Sequence, residues 1–300
     1  MTPDAWPAPA KLNLFLRVTG RRPDGYHTLQ TVFQFVSLHD ELHVRVRRDG
    51  QIRRLTDLPG VPPERDLVVR AARMLQEVSE TALGADLSLA KRIPMGGGLG
   101  GGSSDAATTL VALDRLWGLG LGEERLAALG LSLGADVPVF VRGRAAWAEG
   151  VGELLQPVAL DEPWYLIVHP GAEVSTAAVF GDPELTRDSA PLKMRGLFRG
   201  YGAGLPQATV SELVAATGND CEASVRRRYP AVDEVLSWLE SRTPVRMTGT
   251  GACVFAAFGR AAEARAMARA LPARWLALVA RGMNVSPLAV LAAGGPATDT

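Results

Sequence analysis

A run of glycines constrains the fold of this chain more than any other segment. Six of the seven residues from Gly96 to Gly102 are glycine. Glycine inside a helix or strand costs backbone entropy and contributes no side-chain packing. A density this high therefore predicts a backbone that turns sharply and that no side chain covers.

The residues on either side of the glycine run predict a strand before it and a helix after it. Apolar residues alternate with polar ones from Asp86 to Ile93, which is typical of a strand. Residues 106–117 carry leucines at helical spacing, and Ser103, Ser104 or Asp105 can cap that helix. A strand, an uncovered loop and a helix N-terminus together favour phosphate binding, because free backbone amides and the helix dipole attract anions.

The glycine run lacks parts of three known nucleotide-binding patterns. Gly97 and Gly102 have the Walker A spacing, but two serines follow where that pattern needs a lysine. Gly96, Gly98 and Gly101 fit G-x-G-x-x-G, but no second strand ends in an acidic residue about 20 positions further on. The absence of His-Arg-Asp and Asp-Phe-Gly tripeptides argues against a protein kinase. A flexible linker is disfavoured, because a strand and an amphipathic helix bracket the run.

Composition narrows the class of protein. The chain has 300 residues, 47% of them hydrophobic, which suits one large domain or two ordinary ones with a buried core. Its 32 basic and 32 acidic residues leave no net charge, which argues against a nucleic acid or membrane partner.

Cys221 and Cys253 make no disulfide framework, and no apolar run reaches the roughly 18 residues that span a bilayer. The N-terminus lacks the basic region of a signal peptide, so we expect a soluble cytoplasmic protein. Histidines and cysteines show no metal-ligand spacing, and we predict no metal site in the protein itself.

The first half of the chain contains further candidate functional residues. Alternation from Ala10 to Val18 predicts a strand with Lys11 and Asn13 on one face. Tyr26 and His27 follow a tight-turn signal and begin a strand to Leu38, and a third strand is predicted over residues 42–46. Asp66 is predicted to cap a helix from Leu67.

Asp136 allows two interpretations. It lies between a helix predicted to end at Leu133 and Pro138. The more common use of such an aspartate is to cap a helix. The functional alternative is a carboxylate held in a site to accept a proton, and the residues alone leave both open.

The pattern changes near residue 155. Apolar runs predict strands at 164–169, 253–258 and 275–280, with helical segments between them. This order predicts an α+β arrangement with helices over an antiparallel sheet. We place the domains at residues 1–155 and 156–290, and we expect an unstructured tail over residues 291–300.

Three segments resemble the motifs of the GHMP small-molecule kinases. They are Pro9-Ala10-Lys11-Leu12-Asn13-Leu14, Pro94 to Ser104, and Thr248-Gly249-Thr250-Gly251-Ala252-Cys253. The runs from Arg22 to His27 and from Leu133 to Phe140 are similar to one member of that family. That member uses ATP to phosphorylate the 2-hydroxyl of a cytidine-diphosphate-linked methylerythritol in the methylerythritol phosphate route to isoprenoids. The resemblance extends from Ala8 to Ala280, nearly the whole chain.

The resemblance implies a fold and a division of labour. The fold is the two-domain GHMP kinase fold, with an N-terminal β/α ATP-binding domain and a C-terminal α+β domain of ferredoxin-like type. Asp136 is implied as the base that takes the proton of the substrate hydroxyl, and Lys11 as the residue that orients it and neutralises charge at the γ-phosphate. Asn13 is implied to hold the sugar-alcohol.

The resemblance also implies the binding residues. Tyr26 and His27 line a cytidine pocket, Phe180 stacks on the base, and Thr176 contacts the substrate near its phosphates. The residues implied to bind ATP are Lys91 near the adenine end, Pro94, Met95, Gly96, Gly97, Gly98, Leu99, Gly100, Gly101, Gly102, Ser103 and Ser104 around the phosphates, and Gly249, Thr250 and Gly251 closing the phosphate site. Mg²⁺ is expected with ATP, with a hydroxyl of Ser103 or Ser104 as the candidate protein ligand. We expect a monomer or a weak homodimer.

Three other functions stay open at this point. A GHMP kinase for homoserine or a mevalonate is disfavoured, because those substrates offer no base to stack against Phe180 and the pair Tyr26 and His27. A nucleotide-binding module without catalysis is disfavoured by the joint presence of Lys11 and Asp136. A dinucleotide-dependent oxidoreductase is weakened by the missing acidic residue.

Overall fold

The computed structural model describes residues 5–198, 200–202 and 204–294. The strands in this part of the chain are β1 (Trp6–Arg21), β2 (His27–Arg47), β3 (Ile52–Arg54), β4 (Gly84–Ala90), β5 (Ala146–Glu149), β6 (Leu154–Pro157), β7 (Ala159–Leu160), β8 (Trp164–His169), β9 (Tyr201–Gly202), β10 (Leu205–Ala208), β11 (Arg246–Met247), β12 (Val254–Phe258) and β13 (Leu276–Met283). The helices are α1 (Leu67–Ser79), α2 (Gly101–Trp117), α3 (Gly122–Leu133), α4 (Val137–Arg142), α5 (Thr176–Phe180), α6 (Met194–Leu197), α7 (Val210–Ala216), α8 (Glu222–Arg228), α9 (Pro230–Glu240), α10 (Ala261–Ala270) and α11 (Pro287–Ala292), with a 3₁₀ turn at Pro63–Arg65.

One large sheet runs through both halves of the chain. Its order is β11-β12-β8-β13-β2-β4-β3, and β1 and β5 also pair with β2 while β6 pairs with β5. In the second half, β8, β11, β12 and β13 pair antiparallel, with helices between β8 and β11 and between β12 and β13, which is the predicted ferredoxin-like arrangement. The α+β prediction is confirmed, and β13 joins the two halves by pairing with β2 at Val36 and Phe35.

The two longest strands differ from the sequence-based expectation. The segments predicted as separate strands ending at Leu38 and beginning at Leu42 are one strand, β2, which pairs antiparallel with β1. The register between β1 and β2 shifts between Pro9 and Ala10, opposite Ser37 and Leu38. The second strand therefore continues through an irregularity in the β1–β2 pairing, which lies beside Pro9 on β1, while residues 27–47 of β2 contain no glycine or proline.

Helix α2 begins earlier than its predicted caps. Its first residue is Gly101, and the cap position is Gly100, whose φ of 73° lies in the left-handed region. No side chain caps the helix. The three predicted cap residues, Ser103, Ser104 and Asp105, lie inside the first two turns, so the expected capping is wrong and the first amides of α2 remain uncapped by side chains.

The chain's last described helix returns to the first half of the molecule. Ser286 caps α11 by accepting a hydrogen bond from the Ala289 N–H, and Pro287 occupies the first helical turn. Leu288 and Leu291 are buried in the core formed around α1, α2, α3 and α4. The prediction of an unstructured tail is therefore wrong for Leu291 and Ala292, while residues 295–300 lie outside the described residues. No helix in the described ranges has the length and apolar character needed to cross a membrane.

Candidate active site

Two clefts meet at the glycine run. The larger has a volume of about 770 Å³ and the smaller about 390 Å³. Gly98, Gly100 and Ser103 line both of them. The loop from Pro94 to Ser103, with Lys91, forms one side of the smaller cleft, and Leu58, Val61 and Leu67 add apolar surface to it. A ligand in one cleft can therefore touch a ligand in the other across this loop.

The glycine loop needs glycine because backbone lies directly against it. Gly98 has a φ of 73°, and a Cβ there would lie 2.4 Å from the carbonyl oxygen of Thr248. The amides of Ala252 and Cys253 donate to the carbonyls of Gly96 and Gly97 at 3.1 and 3.0 Å. The loop is thus held against the turn at residues 248–253 by main-chain contacts that leave no room for side chains.

Lys11 lies at the junction of the two clefts. Its side chain is buried, and its ammonium donates to the side-chain oxygen of Asn13 and to the Gly98 carbonyl at 3.0 Å. The same nitrogen lies 3.3 Å from a carboxylate oxygen of Asp136. These three contacts match the three donors of an ammonium and fix its position in the site.

Asp136 does not act as a helix cap. It immediately precedes α4, but its side chain accepts no capping hydrogen bond and its backbone is already helical. The carboxylate is 34% exposed and faces the larger cleft beside Lys11. Of the two interpretations left open by the sequence, the geometry favours a carboxylate that can reach a bound molecule.

Asn13 and the 248–253 turn are held by a buried hydrogen-bond network. The Asn13 backbone N–H donates to the Thr248 hydroxyl at 2.9 Å, and its side-chain amide donates to the Thr31 hydroxyl at 3.0 Å. Asn219 donates to the carbonyls of Met247 and Gly249, both at 2.8 Å. The sequence gives no sign of this contribution of Asn219, because its position between two helical segments indicates only a turn residue.

The remaining substrate candidates lie along the larger cleft. The rings of His27 and Phe180 stack with centroids 4.9 Å apart and planes 19° from parallel, and Tyr26 is 63% exposed. The hydroxyls of Thr176 and Thr250 lie 3.0 Å apart. Gly249 and Thr250 also line this cleft, and they do not line the smaller one.

Lys91 is bound to two acidic groups. Its ammonium donates to Asp40 and, at 2.8 Å, to Asp105. Asp40 also accepts the backbone N–H groups of Arg92 and Ile93. Burial alone would lower the pKa of Lys91, but the two carboxylates outweigh it and raise that pKa.

The carboxyl group of Asp105 has a raised pKa in this cluster of one lysine and two aspartates. Burial raises the pKa of Asp105 to about 7 against the attraction of Lys91, and the nearby Asp40 raises it further. Asp40 and Asp105 were not predicted as site residues. Together with Lys91 they connect β2 and the start of the loop to α2, so the lysine expected near adenine is held by two ion pairs.

Two expected ATP ligands line neither cleft. Ser104 is completely buried, and its hydroxyl has no hydrogen-bond partner within the described residues. Gly251 has a φ of 86° and packs near Met247. Every other candidate lines at least one cleft. The structure therefore brings together the residues that the sequence separates by more than 200 positions.

Comparisons with known proteins identify the family. The model of the GHMP kinases N terminal domain matches residues 66–144, and that of the GHMP kinases C terminal domain matches residues 206–277. The 4-diphosphocytidyl-2-C-methyl-D-erythritol kinase of Alkalilimnicola ehrlichii is 58% identical over 284 residues, which cover 94% of this chain and 92% of the relative.

Solved structures agree with this assignment. A crystal structure of 4-(cytidine 5'-diphospho)-2C-methyl-D-erythritol kinase matches with a TM-score of 0.76 and 34% identity, covering 93% of this chain and 98% of the other. The Methanococcus jannaschii mevalonate kinase shares the fold, with a TM-score of 0.65 at 14% identity over 93% of this chain and 98% of the other. The chain belongs to the 4-diphosphocytidyl-2-C-methyl-D-erythritol kinase family of the GHMP kinases.

Proposed function

We propose that the chain transfers the γ-phosphoryl group of ATP to the 2-hydroxyl of 4-diphosphocytidyl-2-C-methyl-D-erythritol. The products are the 2-phosphate and ADP, and the reaction is a step of the methylerythritol phosphate route to isoprenoids. One observation carries the proposal: the Lys11–Asp136 pair lies where two clefts meet at the glycine loop. The relative that is 58% identical is named for this activity, which supports it.

The smaller cleft is the proposed ATP site. Its loop offers main-chain amides and the uncapped start of α2, which together attract phosphate oxygens. Leu58, Val61 and Leu67 offer apolar contact for the adenine ring. Asp66 caps α1 and pairs with Arg54 at 3.0 Å, so its carboxylate is already engaged.

The larger cleft is the proposed acceptor site. The substrate hydroxyl oxygen forms a bond to the γ-phosphorus, the bond from that phosphorus to the bridging oxygen of ADP breaks, and the hydroxyl proton passes to Asp136. Lys11 balances negative charge at the transferring group, and Asn13 keeps the Lys11 ammonium in place. Positioning and charge neutralisation supply most of the catalysis of phosphoryl transfer, so these few groups suffice.

Mg²⁺ is proposed to enter with the nucleotide. No group of three or more His, Cys, Asp or Glu side chains in the described ranges can hold a metal ion by itself. The hydroxyl of Ser103, which lines both clefts, is an oxygen donor of the kind Mg²⁺ accepts alongside phosphates, whereas the buried hydroxyl of Ser104 lines neither cleft. When bound, the ion would neutralise charge on the phosphates of ATP.

An ADP-release assay tests the proposed function. The chain is assayed with ATP and Mg²⁺ on 4-diphosphocytidyl-2-C-methyl-D-erythritol, homoserine and mevalonate in parallel. We expect ADP only with the cytidine substrate, and loss of that signal on removing Mg²⁺. ADP release with homoserine or mevalonate alone would replace the substrate assignment, and ATP binding without release anywhere would contradict catalysis. The cytoplasmic location and the monomer or weak homodimer remain predictions.

A further inference from the structure

We infer that Arg187 is a positioning residue for base recognition, because it holds the His27 ring so that Nδ1–H is the donor offered to the bound base. This inference rests on the proposed function, since it takes the larger cleft to hold the cytidine moiety. Arg187 lies in the segment after α5 and is 160 residues from His27 in the chain. Nothing in its sequence surroundings marks it as functional.

The guanidinium of Arg187 connects His27 to the segment that follows Phe180. Its Nη2 donates to the carbonyls of Phe180 and Asp182 at 2.9 and 2.6 Å, and its Nη1 donates to the Leu185 carbonyl at 3.1 Å. Its Nε donates to Nε2 of His27 at 3.1 Å. One planar group thus fixes both the backbone that carries Phe180 and the ring that stacks on it.

The contact between Arg187 and His27 determines which ring nitrogen of His27 bears the proton. A guanidinium only donates hydrogen bonds, so Nε2 of His27 must accept. A neutral imidazole that accepts at Nε2 carries its hydrogen at Nδ1. Nδ1 has no partner within the residues that the structure describes, and His27 lines the larger cleft. The ring therefore offers one N–H donor to a ligand.

The charges around His27 favour this neutral form. Burial, Arg187 and then Arg21 lower the pKa of His27 from its usual 6.5. Protonation would place a hydrogen on Nε2 directly against the Arg187 Nε–H. Near neutral pH the ring is thus restricted to one tautomer, which can meet an acceptor on the base.

This restriction has a consequence for substrate choice. The pairing edge of cytosine presents N3 and O2 as acceptors, whereas N3 of uracil carries a hydrogen. A fixed Nδ1–H donor therefore suits the acceptor side of a cytosine and opposes a hydrogen at the same position. Without Arg187, His27 could change tautomer and present an acceptor instead.

The test combines nitrogen NMR of the imidazoles with kinetics. In the full-length wild-type chain, ¹⁵N spectra should show His27 protonated at Nδ1 alone at pH 7.5. Arg187→Met should give a mixture of tautomers and a higher His27 pKa. It should raise KM for the cytidine substrate about tenfold and change kcat less than twofold, because one oriented hydrogen bond is lost.

A matched control separates positioning from loop stability. Arg227 contacts Asp182 of the same loop at 3.4 Å but does not contact His27, so Arg227→Gln should leave the His27 spectrum and the KM unchanged. Arg187→Lys keeps one donor, and it should retain more of the Nδ1 tautomer and of the affinity than Arg187→Met if both variants fold.

The outcomes distinguish this inference from the proposed function. Nδ1 protonation that persists in Arg187→Met, or an equal rise in KM in Arg227→Gln, would overturn the inference while the kinase activity stands. A wild-type chain that releases no ADP with the cytidine substrate would overturn the proposed function and with it the base contact. The spectrum would then still decide whether Arg187 fixes the His27 tautomer.

Discussion

The two ends of the site are built in different ways. On the proposed ATP side, main-chain contacts dominate: the amides of Ala252 and Cys253 donate to the carbonyls of Gly96 and Gly97. On the proposed base side, contacts between side chains dominate, and Arg187 donates a hydrogen bond to His27, 160 residues away in the sequence. A site made of backbone can be recognised from the local sequence, whereas a site made of side chains depends on how distant loops come together.

The same difference predicts how each end responds to substitution. Where backbone packs against backbone, as at Gly98, there is no room for even one added atom, so a substitution there should cause a large loss of activity. Side chains that stack or donate one hydrogen bond should give graded losses. The junction of the two ends, at Lys11 and Asp136, should be more sensitive than either because the reacting atoms lie there.

The largest effect is expected at that junction. Asp136→Asn keeps the shape of the side chain but removes the proton acceptor and the charge partner of Lys11. We expect kcat to fall about a thousandfold, as for loss of a general base, with an unchanged unfolding temperature. Steady-state kinetics and calorimetry would measure both.

A surface aspartate provides the comparison for this loss. Asp233→Asn removes a partly exposed carboxylate that pairs with Arg226 and lines neither cleft. It should leave kcat within twofold of wild type. If Asp136→Asn behaved like Asp233→Asn, proton transfer to Asp136 would not belong to the mechanism, and the positioning of the hydroxyl would have to rest on Lys11 and Asn13.

The next largest effect tests the main-chain end of the site. In Gly98→Ala, the new Cβ would lie 2.4 Å from the Thr248 carbonyl oxygen at a φ of 73°, so the loop must shift. We expect kcat/KM for ATP to fall about a hundredfold, since a displacement of about 1 Å can cost that much. Nucleotide titration and kinetics would separate lost binding from lost catalysis.

A second glycine in the same loop serves as the control. In Gly102→Ala, the added Cβ would lie 3.6 Å from a Leu67 methyl, an ordinary contact, and the residue lies inside α2. It should keep or raise the unfolding temperature, because alanine favours a helix, and should lose far less activity than Gly98→Ala. Equal losses in both variants would show that the loop tolerates no side chain anywhere, whatever the space.

The parts of the site that the sequence predicted follow this division. The glycine loop, Lys11 and Asn13 could be predicted because each lies in a contiguous pattern that a strand or a helix boundary organises. The helix capped by Asp66 and the strand Trp164–His169 were predicted for the same reason. In each case the physical cause lies within a few residues of its effect.

The parts that sequence reasoning missed depend on contacts between distant residues. Arg187, Asn219 and Asp40 join the candidate site only because tertiary packing brings them to His27, Gly249 and Lys91. Helix α11 was missed because six residues carry little periodicity, although Ser286 and Pro287 are a cap and a first-turn proline. The start of α2 was misplaced because Gly100 takes the cap position without a side chain.

A graded loss is expected on the base side. Phe180→Ala removes the ring that stacks on His27 and faces the larger cleft. Loss of stacking worth about 2 kcal/mol corresponds to a rise of roughly thirtyfold in KM for the cytidine substrate, with kcat little changed. Phe180→Tyr keeps a ring and should lose much less. A fall in kcat with constant KM would instead connect Phe180 to the chemical step.

The smallest effect concerns the side-chain contact on the ATP side. The pKa of Asp105 is raised to about 7 from 3.8, so the folded protein binds more protons than the unfolded chain between these values. Stability should therefore fall as pH rises through that window, and it should be constant above it. Asp105→Asn removes this titration, so the stability of the variant relative to wild type should rise as the pH increases from 5 to 8. KM for ATP should change less than about threefold, because the main-chain contacts of the loop remain. Unfolding temperatures of both proteins at several pH values would measure the difference. A difference that does not change with pH would mean that Lys91 keeps Asp105 ionised, and that the ATP side is held by an ordinary ion pair in addition to its backbone.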